Sequence, residues 1–370
     1  MLYHVTFLGQ IITIETSVDL VARWSEMMSP YMVVTEGSNE RSDAYVVAKR
    51  KNFDGNALES SPELVKLHCG AVGFSRRHEN TTTVHSPSLR VTYVLRRTSN
   101  VLFFDYMYQD FTEEVNLDLL RIVRGILDLL GQASGLRKVH MAVVSDNQYS
   151  AALIGPEGAG KTSFMLAFLA QVEQSSLVTN DKALMESVSK RILAYGLPYA
   201  VSVGDEALKR YPPVSSKLGP RRINGEIYYW PNEIVSSVNR SLSICAKLDF
   251  ILAVEIDQDS NDLKASKVER SKEITDFFRN NVFAFSDQVS PDWLRPWIVQ
   301  ENANDTKTLE SLSDLPMIRL QGNPWNGNLK RLWGSMLTHE PAQSSCHGGG
   351  GTPSHHALVV ADLLAPLESH

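Results

Sequence analysis

The segment "AALIGPEGAGKTSFMLAFLAQ", Ala151 to Gln171, constrains the fold more than any other stretch. A short apolar run meets a loop with three glycines and a lysine, and an apolar segment of helical length follows. The loop matches the pattern G-x-x-x-x-G-K-[ST] at Gly155, Gly160, Lys161 and Thr162. Small residues at this spacing let successive backbone N–H groups turn inward around a phosphate, and a helix N-terminus adds partial positive charge. Lys161 then reaches the β- and γ-phosphates, and the Thr162 hydroxyl binds Mg²⁺. The expected nucleotide contacts are Gly155, Pro156, Glu157, Gly158, Ala159, Gly160, Lys161, Thr162 and Ser163, with the Glu157 side chain turned to solvent. Context supports the match: a strand-like run precedes the loop, and the helix after it is apolar nearly all round, as suits burial against a sheet. ATP is preferred over GTP because no N-K-x-D motif stands in a suitable place.

The remaining chain reads as two globular parts and a tail. At 370 residues and 43% hydrophobic content it can build two cores. A net charge of −6 argues against a general nucleic-acid or membrane-surface binder. Cys69, Cys245 and Cys346 are too scattered for a disulfide framework or a zinc site. The N-terminus has no signal-peptide pattern and no apolar run reaches the ~18 residues of a membrane span, so a soluble, cytoplasmic protein is expected.

The first third reads as β. "LYHVTFL" and "QIITIET" flank Gly9 as a hairpin. "LRVTYVLR" alternates, with Leu89, Val91, Tyr93 and Leu95 on one face, and "VLFFDYMY" follows a turn at Ser99-Asn100. The stretch from Glu36 to Asn80 yields no order. A helix comes next, with Asp110 and Glu113 at capping-box spacing and Val115, Leu119, Ile122, Ile126 and Leu130 at helical intervals. "KVHMAVVS" and "SAALIG" then read as strands around Asp146-Asn147, and "FILAVEID" as a strongly apolar strand. Trp293, Trp297, Trp325 and Trp333 read as packing anchors. The expected division is a mainly β module at 1–109, a linking helix at 110–135, a P-loop domain at 136–337 and a disordered tail at 338–370. In the tail, Cys346, His347, His355 and His356 form a metal tract only as the less favoured alternative to a flexible segment.

A Mg²⁺ site needs a carboxylate near the phosphates. Asp181 stands twenty residues after Lys161, while Glu255 or Asp257 ends the strand "FILAVEID" as an ordinary Walker B acid would. The segment "VHMAVVSDNQYSAALIGPEGAGKTSFMLAFLAQVEQSSLVTND" resembles the core of the HPr kinase/phosphorylase-related proteins. These share a nucleotide-binding fold with phosphoenolpyruvate carboxykinase. "RILAYGLPYAVSVGDEAL" is similar to the next segment in kinase-like members found beside biosynthetic genes, so the resemblance spans roughly Asp110 to Leu208.

The resemblance implies an α/β fold of that type, and a histidine, a phosphate loop and an acidic pair at His140, Gly155–Thr162 and Asp181. It also implies Thr162 and Asp181 as metal ligands, with Lys161, Asp181, His140 and Asn180 as the catalytic set. Asn180 is a departure, because the family carries two adjacent aspartates there and an amide cannot act as a carboxylate base. Asp205, Glu206 and Glu255 are the alternative bases. His140 is equally readable as a phosphate or ligand contact and as a satisfied core histidine. Lys209, Arg210, Lys217, Arg221 and Arg222 read either as a phosphate-closing lid or as a solvated loop.

The function expected from these residues is an ATP- and Mg²⁺-dependent kinase acting on a hydroxyl of a small metabolite, or on a serine of a peptide or carrier. The alternative is a nucleotide-gated binding protein without transfer. Neither nucleic acid nor membrane is expected as a partner, and a homo-oligomer is in keeping with the resemblance.

Overall fold

The computed structural model describes residues 1–37, 42–51, 63–67, 72–98, 101–189, 191–214, 221–223, 226–269, 272–283, 292–298, 305–326 and 329–338. The Ser99-Asn100 turn, Lys217, Cys69 and the tail with Cys346, His347, His355 and His356 lie outside these residues.

The N-terminal residues form a mainly antiparallel sheet of nine strands among the described residues. In spatial order these are Val33–Glu36, Leu2–Phe7, Gln10–Thr16, Ala44–Arg50, Val101–Tyr108, Val91–Thr98, Thr81–Ser86, Val72–His78 and Glu63–Lys66. Leu8 and Gly9 turn the first hairpin with φ of +48° and +79°, the left-handed pair that a tight two-residue turn requires. Ala44–Arg50 lies parallel between Gln10–Thr16 and Val101–Tyr108, and with Val72–His78 it gives order to the stretch the sequence left blank. Alternation drives one face inward: Tyr3, Val5, Ile12, Ile14, Val46, Tyr93, Leu95, Phe104 and Tyr106 are all buried.

The helix beneath this face runs Glu113–Ala133 and is the second layer of that core rather than a plain connector. Tyr93 Oη and Tyr106 Oη both donate to Asp118 Oδ2, at 2.6 and 2.8 Å, and Trp24 Nε1 donates to Asn116 Oδ1 at 2.9 Å. The cap is Thr112, whose hydroxyl accepts from Val115 N, and not Asp110. Asp110 is drawn off by Arg50 at 2.9 Å, and Glu113 pairs with Arg23. Leu136, Leu184, Tyr195 and Leu197 join the same core, so the helix ties the large sheet to the strands Lys182–Val188 and Arg191–Gly196.

Beyond the helix, "KVHMAVVS" is two strands. Arg137–His140 joins a four-stranded sheet with Lys182–Val188, Arg191–Gly196 and Cys245–Lys247, while Ala142–Ser145 enters a seven-stranded sheet. The seven-stranded order is Ser241–Leu242, Ser176–Thr179, Ala142–Ser145, Ser150–Ile154, Phe250–Ile256, Met317–Gly322 and Leu263–Lys267. Ser150–Ile154 is parallel to Phe250–Ile256, and that strand to Met317–Gly322. The helix Lys161–Gln171 buries Phe164 through Leu169, and Trp333 meets Phe168 edge-on at 4.9 Å. Trp293 stacks on Tyr93 at 5.5 Å, and Trp325 meets Tyr211 edge-on at 6.3 Å. The tryptophans are packing anchors, as read. The whole is mixed α/β. No described helix is long and apolar enough to cross a membrane, which says nothing of a β-barrel.

Candidate functional site

The loop between Ser150–Ile154 and Lys161–Gln171 is held by its glycines and by the neighbouring strand. Gly158 and Gly160 sit at φ +80° and +90°, conformations that a Cβ disfavours. A Cβ on Gly155 would stand 2.7 Å from Ala159 Cβ, and one on Gly160 would stand 2.6 Å from Ile256 Cβ. Ile256 N donates to Ala159 O at 2.9 Å, so the end of Phe250–Ile256 pins the loop from one side. Lys161 Nζ folds back to donate to Gly155 O at 2.8 Å and Pro156 O at 3.2 Å. Thr162 and Ser163 are half-buried at the helix start, and Pro156, Glu157 and Gly158 are exposed.

Asp181 occupies the bend between Ser176–Thr179 and Lys182–Val188. His140, at the end of its strand and in register with Lys182, places Nε2 3.0 Å from Asp181 Oδ1. Lys182 Nζ lies 3.7 Å from Asp181 Oδ2. Burial works against the Asp181 charge, but the hydrogen bond with His140 and the charges of Lys182, His140 and Lys161 outweigh it and hold the carboxyl below its ordinary value. Burial likewise pushes the Lys161 ammonium down, against the pull of Asp181 and Glu157. His140 and Lys182 thus meet Asp181 directly, and the Lys161 charge favours its ionised form.

Asn180 is buried, with Nδ2 donating to Ala200 O at 3.3 Å and Oδ1 without a hydrogen-bond partner among the described residues. The Ala200 carbonyl fixes the amide's orientation, because the flipped amide would set two oxygens against each other. The other candidates are engaged differently. Glu255 is exposed and stands in register with Gln321, and Asp257 Oδ1 accepts from Asp259 N at 3.2 Å. Asp205 and Glu206 lie in the first turn of Asp205–Arg210, where Glu206 pairs with Lys209. Arg210 reaches Asn323 and Asn326, both at 3.3 Å, and Lys209 is exposed beside Glu206. Arg221 and Arg222 belong to the short strand Arg221–Ile223.

Sequence reasoning missed Lys182 and its seat. The Lys182 ammonium lies 4.8 Å from the centre of the Tyr199 ring, and the Arg124 guanidinium lies 4.1 Å from the same centre. Only adjacency to Asp181 marked Lys182 beforehand, and nothing in the pattern linked Arg124 to Tyr199.

No protein-family model and no curated protein matches the chain. Among solved structures it is similar to the HPr(Ser) kinase/phosphatase from Coxiella burnetii, with 13% identity and a TM-score of 0.21, over 33% of this chain and 67% of that one. At that level of likeness the site rests on its own geometry.

Proposed function

We propose that the chain is an ATP- and Mg²⁺-dependent phosphotransferase that moves the γ-phosphoryl group to a hydroxyl of a small metabolite or of a serine on a peptide or carrier. The observation that carries this reading is the loop itself, with Gly158 and Gly160 at positive φ between a strand and a buried helix and Lys161 Nζ folded back on the Gly155 and Pro156 carbonyls. The residues suit the ligand. Gly155 and Gly160 leave no room for a Cβ beside Ala159 and Ile256, Gly158 and Gly160 hold positive φ, and an eleven-residue helix starts directly after the loop. Lys161 would exchange its carbonyl partners for phosphate oxygens. Thr162 and Asp181 would hold the metal, which when bound neutralises charge on the transferring group. His140 would keep Asp181 oriented, in the way that partners of metal-binding carboxylates do. Asn180 would not act as a base. Phosphoryl transfer through a loose transition state depends on positioning and charge neutralisation more than on deprotonation, so the reading survives this departure.

The second reading is a nucleotide-gated binding protein without transfer, which the buried amide at Asn180 favours. The deciding measurement is ATP turnover with Mg²⁺ against pooled hydroxyl acceptors, for wild type and Lys161→Ala. Acceptor-dependent ADP release that the variant abolishes is expected. Tight nucleotide binding with no turnover in any pool would move the second reading ahead.

A further inference from the structure

The order in which the site fills is legible in its charges, provided that the nucleotide reading holds. Asp181 is already faced by the Lys182 ammonium and hydrogen-bonded to His140. Its oxygens meet His140 Nε2 at 3.0 Å and Lys182 Nζ at 3.7 Å, and the Lys161 ammonium acts on it as well. The neighbouring residue, Asn180, contributes no charge.

Lys182 is fixed in place. Its side chain is 5% exposed and its ammonium rests against the Tyr199 ring. Tyr199 is buried in turn and carries Arg124 at 4.1 Å, itself held by a 2.9 Å bond to Pro198 O. Lys138 lies 5.8 Å from the same ring, but it is paired with Asp128. Among the described residues no group of three or more His, Cys, Asp or Glu is arranged to hold a metal ion. A bare divalent cation therefore meets Asp181 beside the fixed Lys182 ammonium, with only the exposed Glu157 as a further carboxylate in the loop, whereas an anion meets Lys161 and the helix start.

We propose that the site accepts the polyphosphate anion first and without a metal, that the divalent cation enters only in its company, and that Lys182 enforces this order by occupying Asp181. Mg²⁺ keeps most of its waters and needs few protein oxygens, so one carboxylate is sufficient once phosphates are present. Tyr199 is a positioning residue, because it acts through Lys182.

The test follows ADP by calorimetry, in EDTA and in Mg²⁺, and Mn²⁺ alone by electron paramagnetic resonance. Wild type is expected to bind ADP in EDTA and to leave the Mn²⁺ signal that of the free ion. Lys182→Met is expected to strengthen binding of Mn²⁺ alone by about tenfold or more and to weaken metal-free ADP binding. Tyr199→Leu moves both in the same directions and Tyr199→Phe moves neither, with thermal melts confirming that each variant is folded. If Lys182→Met does not fold, the two Tyr199 variants carry the test. The proposal is overturned if wild type binds Mn²⁺ at micromolar concentration without nucleotide, or if ADP binds only with Mg²⁺. It is also overturned if folded Lys182→Met or folded Tyr199→Leu leaves Mn²⁺ binding unchanged. Absence of ADP binding under both conditions would instead bring down the nucleotide reading, and the filling order with it.

Discussion

Gly160 is where the loop has least room, and Gly160→Ala tests its geometry most directly. The native φ of +90° lies where an L-residue with a Cβ is strained by about 1–2 kcal/mol. The added Cβ would also stand 2.6 Å from Ile256 Cβ, 2.8 Å from its Cγ2 and 3.2 Å from its Cδ1. Overfilling a packed contact costs about 1–3 kcal/mol, so the native loop shape loses about 2–5 kcal/mol in total. The loop can escape by swinging off Ile256, which breaks the Ile256 N–H bond to Ala159 O and turns the loop N–H groups away. The loss should therefore fall on ligand affinity more than on global stability. ADP binding by calorimetry is expected to weaken by about 30-fold or more, with a small change in Tm.

Second-site variants separate the two causes. Ile256→Ala keeps the Cβ that collides first, so added to Gly160→Ala it recovers only the part due to Cγ2 and Cδ1. Ile256→Gly removes the whole steric part and leaves the φ strain. The reasoning fails if Gly160→Ala binds ADP like wild type, or if Ile256→Ala restores binding completely.

Asn180→Asp is expected to lose about 1–3 kcal/mol in denaturant unfolding, since it replaces the donor to Ala200 O with an oxygen, and to gain no turnover. Faster turnover at unchanged stability would refute that account. Lys138→Met leaves the fully buried Asp128 with Gln132 as its remaining side-chain hydrogen bond and should cost about 3–5 kcal/mol in the same assay. A loss below about 1 kcal/mol would mean that the pair contributes little there. Burial pushes Tyr31, Tyr93, Tyr106 and Tyr195 well up and Tyr211 up to about 12. Above pH ~10 the unfolded chain releases these protons while the native state keeps them, so stability falls as pH rises, by about 1.4 kcal/mol per pH unit for each such tyrosine. The share of the phenolate absorbance owed to these five tyrosines should appear only with unfolding, and the full signal of all twelve in the folded protein would contradict the burial.

The elements with local signals were legible in the sequence. Leu8-Gly9 carried its turn chemistry, Val91–Thr98 its alternation, and the glycine loop its flanking strand and helix. Asp110 misled as a cap because the helix starts later: Thr112 holds the N-cap position and accepts from Val115 N, while Asp110 stands two residues outside and pairs with Arg50. The break at Met141 left no trace in "KVHMAVVS", since both halves are mostly buried and hydropathy does not say which sheet a strand joins. Val72–His78 was too polar toward its end to read as a strand, and its partners supply the order. At the site, Lys161 and Asp181 followed from spacing and resemblance. The seat formed by Lys182, Tyr199 and Arg124 joins segments that no local pattern connects.

The pairing of Ser150–Ile154 with Phe250–Ile256 bears on how the molecule is made. The strand that pins the glycine loop is synthesised about a hundred residues after it, and Trp333, which closes over Phe168, comes later still. Contacts so far apart along the chain form slowly, because a long loop must close before they can stabilise anything. On the ribosome, the apolar helix Lys161–Gln171 therefore emerges with only Ala142–Ser145 and Ser150–Ile154 of its floor and without its cover, and keeps apolar surface exposed until the rest arrives. The part of the chain with the strongest sequence signature thus completes its packing late in synthesis, and a nascent chain stalled before Ile256 leaves that helix partly uncovered.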